Sequence, residues 1–483
     1  MADTLANFIS GQWVQAGSGR TFTTHNPANT DETVGVYPSG DQSDARQAIE
    51  AAEEAQPRWA ALPAPKRGEI MYRAANILES RAESVAREMT REEGKTLPES
   101  RGEVGRAINI LRYFAGEGAR LAGMAVPSER DRVFIHTVRK PLGVVGLITP
   151  WNFPIAIPTW KTAPALIAGN GVVLKPSDLA PLCALRMVEA LDEAGVTKGA
   201  LNLVTGPGSK VGHEIVTNSK VRAISFTGSE TTGSGIAVEA AKRRARVQLE
   251  MGGKNPTIVL NDADVTDAVN TVVNAAFFST GQRCTATSRV IVEEPLVDRF
   301  TAALVERTRA LKVGDGLQTG IEVGPSIDER QLGTVLEYVG IGQKEGARLQ
   351  VGGERLKHGP YERGYFSSPA VLTDVAPDMR VAQEEIFGPV LTVLPARNLE
   401  DAVRIANGIR FGLSAAICTQ SLSAAFEFIN RIDAGLVMVN LPSAGVEYHV
   451  PFGGSKESSF GVREQGPAAL EFYTETKTVY LKY

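Results

Sequence analysis

The chain has 483 residues, 43% hydrophobic and 22% charged, with a formal net charge of −4; this describes a soluble globular protein too long for one core, so two or three domains are expected. No long block of lysine and arginine appears, which argues against nucleic acid or an anionic membrane as main partner, and no apolar run reaches transmembrane length. Three distant cysteines, Cys183, Cys284 and Cys418, form no Cys-x-x-Cys pair, and the start MADTLANFISGQW lacks the form of a secretory signal, so free thiols in the cytoplasm are expected.

The N-terminal stretch predicts short strands at Phe8 to Val14 and Thr21 to Asn26, parted by a glycine turn. From Gln42 the spacing of Ala45, Ile49, Ala52 and Ala55 predicts a helix that Pro57 ends or kinks. Two more helices are expected at Pro65 to Glu93 and Pro98 to Leu121, each opening near a proline. Residues 126–140 turn extended and alternating, as an edge strand or arm.

Strand, loop and helix then repeat. Short apolar strands are predicted at Gly143 to Thr149, Gly171 to Lys175, Leu201 to Val204 and Ala223 to Thr227. A second set follows at Thr257 to Leu260, Arg289 to Val292, Ala370 to Thr373 and Val390 to Leu394, with helices at Asp264 to Phe278, Leu296 to Leu311 and Asp328 to Glu345. This alternation predicts two α/β domains on parallel sheets covered by helices. The tail from Glu475 to Tyr483 alternates again and seeks a strand partner.

Several stretches carry chemistry. FFSTGQRCTATSR sets Cys284 beside Arg283, and a neighbouring cation with backbone N–H groups would lower a thiol pKa and make a nucleophile; a buried structural cysteine is the other reading. In LEMGGKN, Glu250 precedes a Gly-Gly turn between apolar neighbours, which suits a general base with a raised pKa or a plain surface charge. TPWNFPIAIPTWK offers Asn152 as a neutral donor for an oxyanion and Phe153 and Trp160 as pocket walls, or else forms a rigid packing loop.

ISFTGSETTG runs strand, glycine turn and helix start, a cradle for a pyrophosphate, with Gly228 allowing close approach. Upstream, GPGSKVG imitates a dinucleotide fingerprint at the wrong spacing and reads as a plain loop. VVLKPSD leaves Lys175, Ser177 and Asp178 at a strand end, suited to a ribose or phosphate or merely solvated, and QEEIFGP and VPFGGSK add two further loops. The five histidines show no paired metal-ligand spacing, and no metal is expected.

Taken in order, PWNFP, KPSD, FTGS, LEMGGKNP, GQRC, EEIFGP and PFGG resemble the aldehyde dehydrogenase superfamily over nearly the whole chain. The resemblance implies an α/β fold: a Rossmann-type cofactor domain (residues 1–121 and 142–252), a second α/β catalytic domain (253–466) and a small β oligomerisation part (122–141 and 467–483), assembled as a dimer or tetramer. It implies NAD or NADP as cofactor and a small-molecule aldehyde as partner, oxidised to a carboxylic acid through a cysteine thioester. Cys284 matches the nucleophile, Glu250 the general base, Asn152 the oxyanion amide and Lys161 a buried lysine near the site. Cofactor contacts are implied at Thr149, Pro150, Trp151, Lys175, Ser177, Asp178, Gly208, Phe226, Thr227, Gly228, Ser229, Glu385 and Phe387. One departure is Asp178, where many NAD-preferring members carry glutamate; the shorter acid leaves room for a 2′-phosphate, though its charge disfavours one.

SAGVEYHVPFGGSK and GQRCTATSR further resemble bacterial members that oxidise α-ketoglutarate semialdehyde, implying a small semialdehyde with a distal carboxylate. Donors for that group are expected from Arg106, Arg283, Tyr448 and His449, and an aromatic collar from Phe153, Trp160 and Phe452, with Thr285 beside the nucleophile. The alternatives are a broad-specificity enzyme for aliphatic or aromatic aldehydes, a coenzyme-A-acylating enzyme, and a homologue that keeps the fold without the chemistry. Glu250 argues against the second, and Cys284, Glu250 and Asn152 together against the third.

Overall fold

A computed structural model describes residues 4–483. Two sheets organise it. The first has eight strands in the order Gln12–Val14, Asn7–Ile9, Leu201–Leu203, Gly171–Lys175, Val144–Ile148, Val221–Thr227, Arg246–Glu250 and Ser459–Gly461. The five from Leu201–Leu203 to Arg246–Glu250 are parallel. Their register sets Ile148 beside both Lys175 and Phe226, and Thr227 beside Glu250, so the carboxyl ends align along one edge. In an open parallel sheet that edge is where ligands bind.

The second sheet has seven strands in the order Arg348–Val351, Ala370–Thr373, Val390–Ala396, Thr287–Glu293, Asn255–Val259, Ser414–Cys418 and Leu436–Val439, all parallel but the first. The two halves are stitched together: Ser459–Gly461, which follows the second sheet in the chain, returns antiparallel to Arg246–Glu250 and sets Ser459 opposite Glu250. No helix among the described residues is long and apolar enough to cross a membrane.

The extended stretches pair with each other within the chain. Thr474–Lys482 runs antiparallel to Val133–Pro141 over their full length, with Ala125–Val126 on the far side. This small sheet leaves Phe134, Tyr480 and Leu481 exposed.

Local expectations fail at four places. The helix Gln42–Ala61 continues past Pro57, so the proline does not end it. Pro57 and Glu53, whose carbonyl loses its usual partner, both face solvent, while Trp59, two residues after the proline, is fully buried and donates from Nε1 to the Leu166 carbonyl at 2.8 Å. The stretch 65–93 is two helices, Ala64–Ser80 and Ala82–Glu93, broken where Arg81 takes a non-helical ψ of 6°. The predicted strand Phe8 to Val14 is a hairpin, because Ser10 and Gly11 take positive φ. GPGSKVG is no plain loop: Gly208–Gly212 winds as a wide helical turn into the short helix His213–Thr217.

Candidate active site

Three consecutive residues in left-handed conformation, Ser279, Thr280 and Gly281 (φ 52°, 57° and 64°), end the helix Val265–Phe277 and swing the chain into the turn that carries Cys284. A Cβ on Gly281 would come within 2.5 Å of the Gly388 carbonyl, so only glycine fits there. The turn is then pinned from below, where Asn255 Nδ2 donates to the carbonyls of Cys284 (2.8 Å) and Ala286 (2.9 Å). Strain held by such contacts is common where a side chain must be presented at a fixed angle.

Cys284 is partly exposed and stands at the junction of two cavities. The first, about 190 Å³, is lined by Pro150, Trp151, Asn152, Thr227, Gly228, Ser229, Glu385 and Phe387, and also by Gly252 and Gln331. It opens on the carboxyl ends of the parallel strands and on the N-terminus of the helix Glu230–Lys242, of which Ser229 is the cap residue. Free N–H groups there suit a pyrophosphate.

Three observations fit a dinucleotide here. Thr149 Oγ1 and Thr227 Oγ1 are buried without a hydrogen-bond partner. A Cβ on Gly252 would meet Glu385 Oε2 at 2.2 Å, so that carboxylate lies flat against bare backbone, where Gly253 N–H donates to its other oxygen at 3.0 Å. Phe387 holds a positive φ of 59°, packs edge-on to Trp151 at 5.4 Å, and is fixed by Gln331 Nε2, which donates to its carbonyl at 3.0 Å.

Other residues named for the cofactor lie outside this cavity. Phe226 packs beneath the turn, where its ring occupies the space that a side chain on Gly228 would need. Lys175 is buried and donates to Asp178 at 3.0 Å; Asp178 also accepts the Gly206 N–H at 3.2 Å. Ser177 accepts the Leu179 N–H, and Gly208 borders open space.

The second cavity, about 340 Å³, is lined by Arg106, Phe153, Trp160, Arg283, Thr285 and Phe452 together with Glu99 and Glu103. Trp160 and Phe452 meet at 5.7 Å between ring centroids. Arg106 donates to the Val446 carbonyl and to Gln465 Oε1 (3.0 Å), and its guanidinium lies 5.6 Å from the Trp160 ring. Arg283 donates to the carbonyls of Asn274 and Ala275 at the end of the preceding helix. Both arginines keep a buried Nε without a partner, and burial lowers the pKa of both.

His449 and Tyr448 do not line this cavity. His449 is exposed beside Glu447, and Tyr448 packs edge-on against Tyr113 at 6.1 Å. The loop carries these two outward while Ala444, Gly445 and Val446 face in.

The expectation that Arg283 lowers the Cys284 pKa is overturned. Burial first, then the carboxylates of Glu250 and Glu385, push the thiol up to about 12, against a smaller pull from the Thr285 and Cys284 N–H groups. The guanidinium of Arg283 is spent on helix-end carbonyls instead.

Glu250, at the strand end, is buried and accepts from Ser459 Oγ at 2.6 Å. Burial and then the charge of Glu464 raise its pKa well above the usual carboxylate range. Lys161 is shut away from both cavities, paired with Glu464 Oε1 and donating to Ser225 Oγ at 2.8 Å; the other oxygen of Glu464 accepts Trp160 Nε1 at 2.7 Å. Glu464 thus ties the substrate-side aromatic wall to the electrostatics of Glu250. Sequence reasoning missed Glu464, Ser459 and Gln331, which no local pattern marks.

The sequence profile of the Aldehyde dehydrogenase family matches residues 13–479. The alpha-ketoglutaric semialdehyde dehydrogenase of Bacillus subtilis (strain 168) is 47% identical over 480 residues, 99% of this chain and 98% of its own. The alpha-ketoglutarate semialdehyde dehydrogenase of Haloferax volcanii is 46% identical over 484 residues, 100% of both chains. Among solved structures, betaine aldehyde dehydrogenase from Staphylococcus aureus in complex with NAD+ is similar with a TM-score of 0.97 at 35% identity, covering 99% of this chain and 95% of that one.

Proposed function

The chain belongs to the aldehyde dehydrogenase family, and from that premise we propose that it oxidises a small semialdehyde bearing a distal carboxylate, of the α-ketoglutarate semialdehyde (2,5-dioxopentanoate) type, with NAD or NADP. The observation that carries the substrate class is the pair of arginines in the cavity wall. Arg106 and Arg283 spend their donors on carbonyls and an amide, and each keeps an Nε unpartnered. Neither guanidinium makes a direct ion pair, although the charges of Glu103 and Glu99 act on Arg106 and Arg283 respectively, and an anionic ligand would supply the direct partner.

Cys284 as thiolate adds to the aldehyde carbon. The amide of Asn152 gives one N–H to the Gln282 carbonyl at 2.9 Å, which leaves its second N–H, with the Cys284 backbone N–H, for the developing oxyanion. When bound, the oxidised nicotinamide supplies the acceptor for the hydride that leaves the tetrahedral carbon. Cys284 then carries the acyl group as a thioester, and Glu250 takes a proton from the water that hydrolyses it. The lining of the smaller cavity from Ser229 to Glu385 is what would hold the cofactor. Asp178, at the position the resemblance assigns to the adenosine ribose, supports NAD ahead of NADP because its carboxylate repels a 2′-phosphate.

Initial rates of NAD(P)H formation on α-ketoglutarate semialdehyde, succinic semialdehyde, propanal and benzaldehyde, with each cofactor, test this reading. Arg106→Ala and Arg283→Ala, made singly, are expected to raise KM for the carboxylate-bearing substrates by roughly 10- to 100-fold, the worth of one charge-assisted hydrogen bond, and to spare propanal. If neither variant moves that KM, the carboxylate anchor is wrong. The wall of Phe153, Trp160 and Phe452 favours one rival, an enzyme of broad aliphatic and aromatic specificity, which benzaldehyde-favouring rates would reveal.

The three free cysteines support a reducing, cytoplasmic setting. The exposed apolar residues on the sheet of Val133–Pro141 and Thr474–Lys482 support a homo-oligomer, dimer or tetramer. Phe134→Asp combined with Tyr480→Asp is expected to shift the mass measured by light scattering to a smaller species; an unchanged mass removes that surface from the assembly.

A further inference from the structure

Beneath the loop that carries Asn152 lies an ion pair that the reaction itself does not use. Lys95 and Glu103 are 2% and 4% exposed, and Lys95 Nζ stands 2.5 Å from Glu103 Oε2. The same ammonium donates to the Asn152 carbonyl at 2.7 Å and lies 4.3 Å from the centre of the Phe153 ring. The other oxygen of Glu103 accepts the backbone N–H groups of Ile155 (3.0 Å) and Ala156 (3.1 Å), where the helix of Trp160 and Lys161 begins. Two further acids face Lys95: Glu93, with an oxygen 3.9 Å away, and Glu99, whose charge also acts on it.

A buried ion pair is weak ground for stability, since removing both charges from water costs about as much as their attraction returns. What this pair does is geometric. It clamps the loop at the Asn152 carbonyl, at the Phe153 ring and, through Glu103, at the two N–H groups that follow. The Asn152 side chain divides its two N–H donors between the Gln282 carbonyl and the oxyanion, so a small rotation of its main chain would misalign both.

We propose that Lys95, with Glu103 as its counter-ion, is a positioning residue for the acyl-transfer step, acting through the Asn152 carbonyl to hold the oxyanion amide in place. This rests on the reading of Asn152 as the oxyanion donor.

The test is a cycle of variants in the full-length protein. Lys95→Met together with Glu103→Leu replaces both charges of the pair by apolar side chains; Glu93 loses its cation as well, a cost common to both backgrounds of the cycle. The combined variant is expected to lower kcat by roughly 10- to 100-fold, the cost of a misplacement of about 1 Å, with KM for the cofactor unchanged within about twofold. In the Asn152→Ala background the same pair of changes is expected to cost less than about twofold, because the group they position is gone. A plain structural role would cost the same in both backgrounds, and that result overturns the proposal. If Asn152→Ala lowers kcat and the Lys95 and Glu103 changes do not, the clamp fails while the oxyanion reading stands. If Asn152→Ala leaves kcat intact, the oxyanion reading falls and the clamp with it. Should the apolar pair fail to fold, Lys95→Gln with Glu103→Gln, which keeps a neutral donor beside Asn152, is read in the same cycle and is expected to retain more of kcat than Lys95→Met alone.

Discussion

Cys284→Ala is expected to abolish NAD(P)H formation on every aldehyde, by at least about 10⁴-fold, while cofactor binding and thermal stability stay near those of the parent enzyme. The separation is possible because Cys284 stands where the two cavities meet and its backbone is held by Asn255, so the side chain can be cut back without releasing the turn. Fluorescence titration with each cofactor and a melting curve check the second half of the expectation. The parent enzyme carries a companion signature. Because the folded thiol is held protonated up to about 12, the thiolate is scarce at neutral pH, and alkylation by iodoacetamide in the absence of cofactor should keep climbing between pH 7 and pH 10, by roughly tenfold per pH unit. A plateau near pH 8 would show that some cation does stabilise the thiolate, as the sequence alone suggested for Arg283.

That misjudgement of Arg283 shows where sequence reasoning runs out. Adjacency along the chain placed a guanidinium next to the sulfur, but three left-handed residues turn the backbone so that Arg283 points back to the helix end. His449 fails for the same reason: it neighbours a site loop in sequence and is exposed in space. The alternating apolar strands were legible because a parallel sheet buried on both faces demands near-continuous apolar runs. Arg246–Glu250 escaped because its buried Gln248 looks like a loop residue; in the fold that amide donates to the Val462 and Arg463 carbonyls and accepts from Ser225. Ser414–Cys418, rich in small residues, gave no strand signal either. Glu464 is the instructive absence, since its partner Lys161 lies 303 residues away and nothing local marks either as half of a pair.

Glu250→Gln should separate the two halves of the reaction. The acyl enzyme forms without it, so mixing with aldehyde and cofactor is expected to give one burst of NAD(P)H of about one equivalent per site, followed by turnover slowed by roughly 10²- to 10⁴-fold, the usual worth of a general base. In the parent enzyme, Glu250 is buried and pressed by the charge of Glu464, which raise its pKa against a smaller pull from the Ser459 hydrogen bond; the base therefore gains its active form at higher pH than an ordinary carboxylate does. Steady-state rates limited by thioester hydrolysis should rise with pH accordingly, and that limb should vanish in the Gln variant. The substitution has a second, opposite effect at the sulfur. Glu250 is one of the charges that push the Cys284 thiol up, so its neutralisation should lower the thiol pKa and speed alkylation at pH 8. A variant that loses the burst together with the steady state would instead place Glu250 ahead of the thioester, as the base that takes the proton from Cys284, and the faster alkylation would then have to be absent as well.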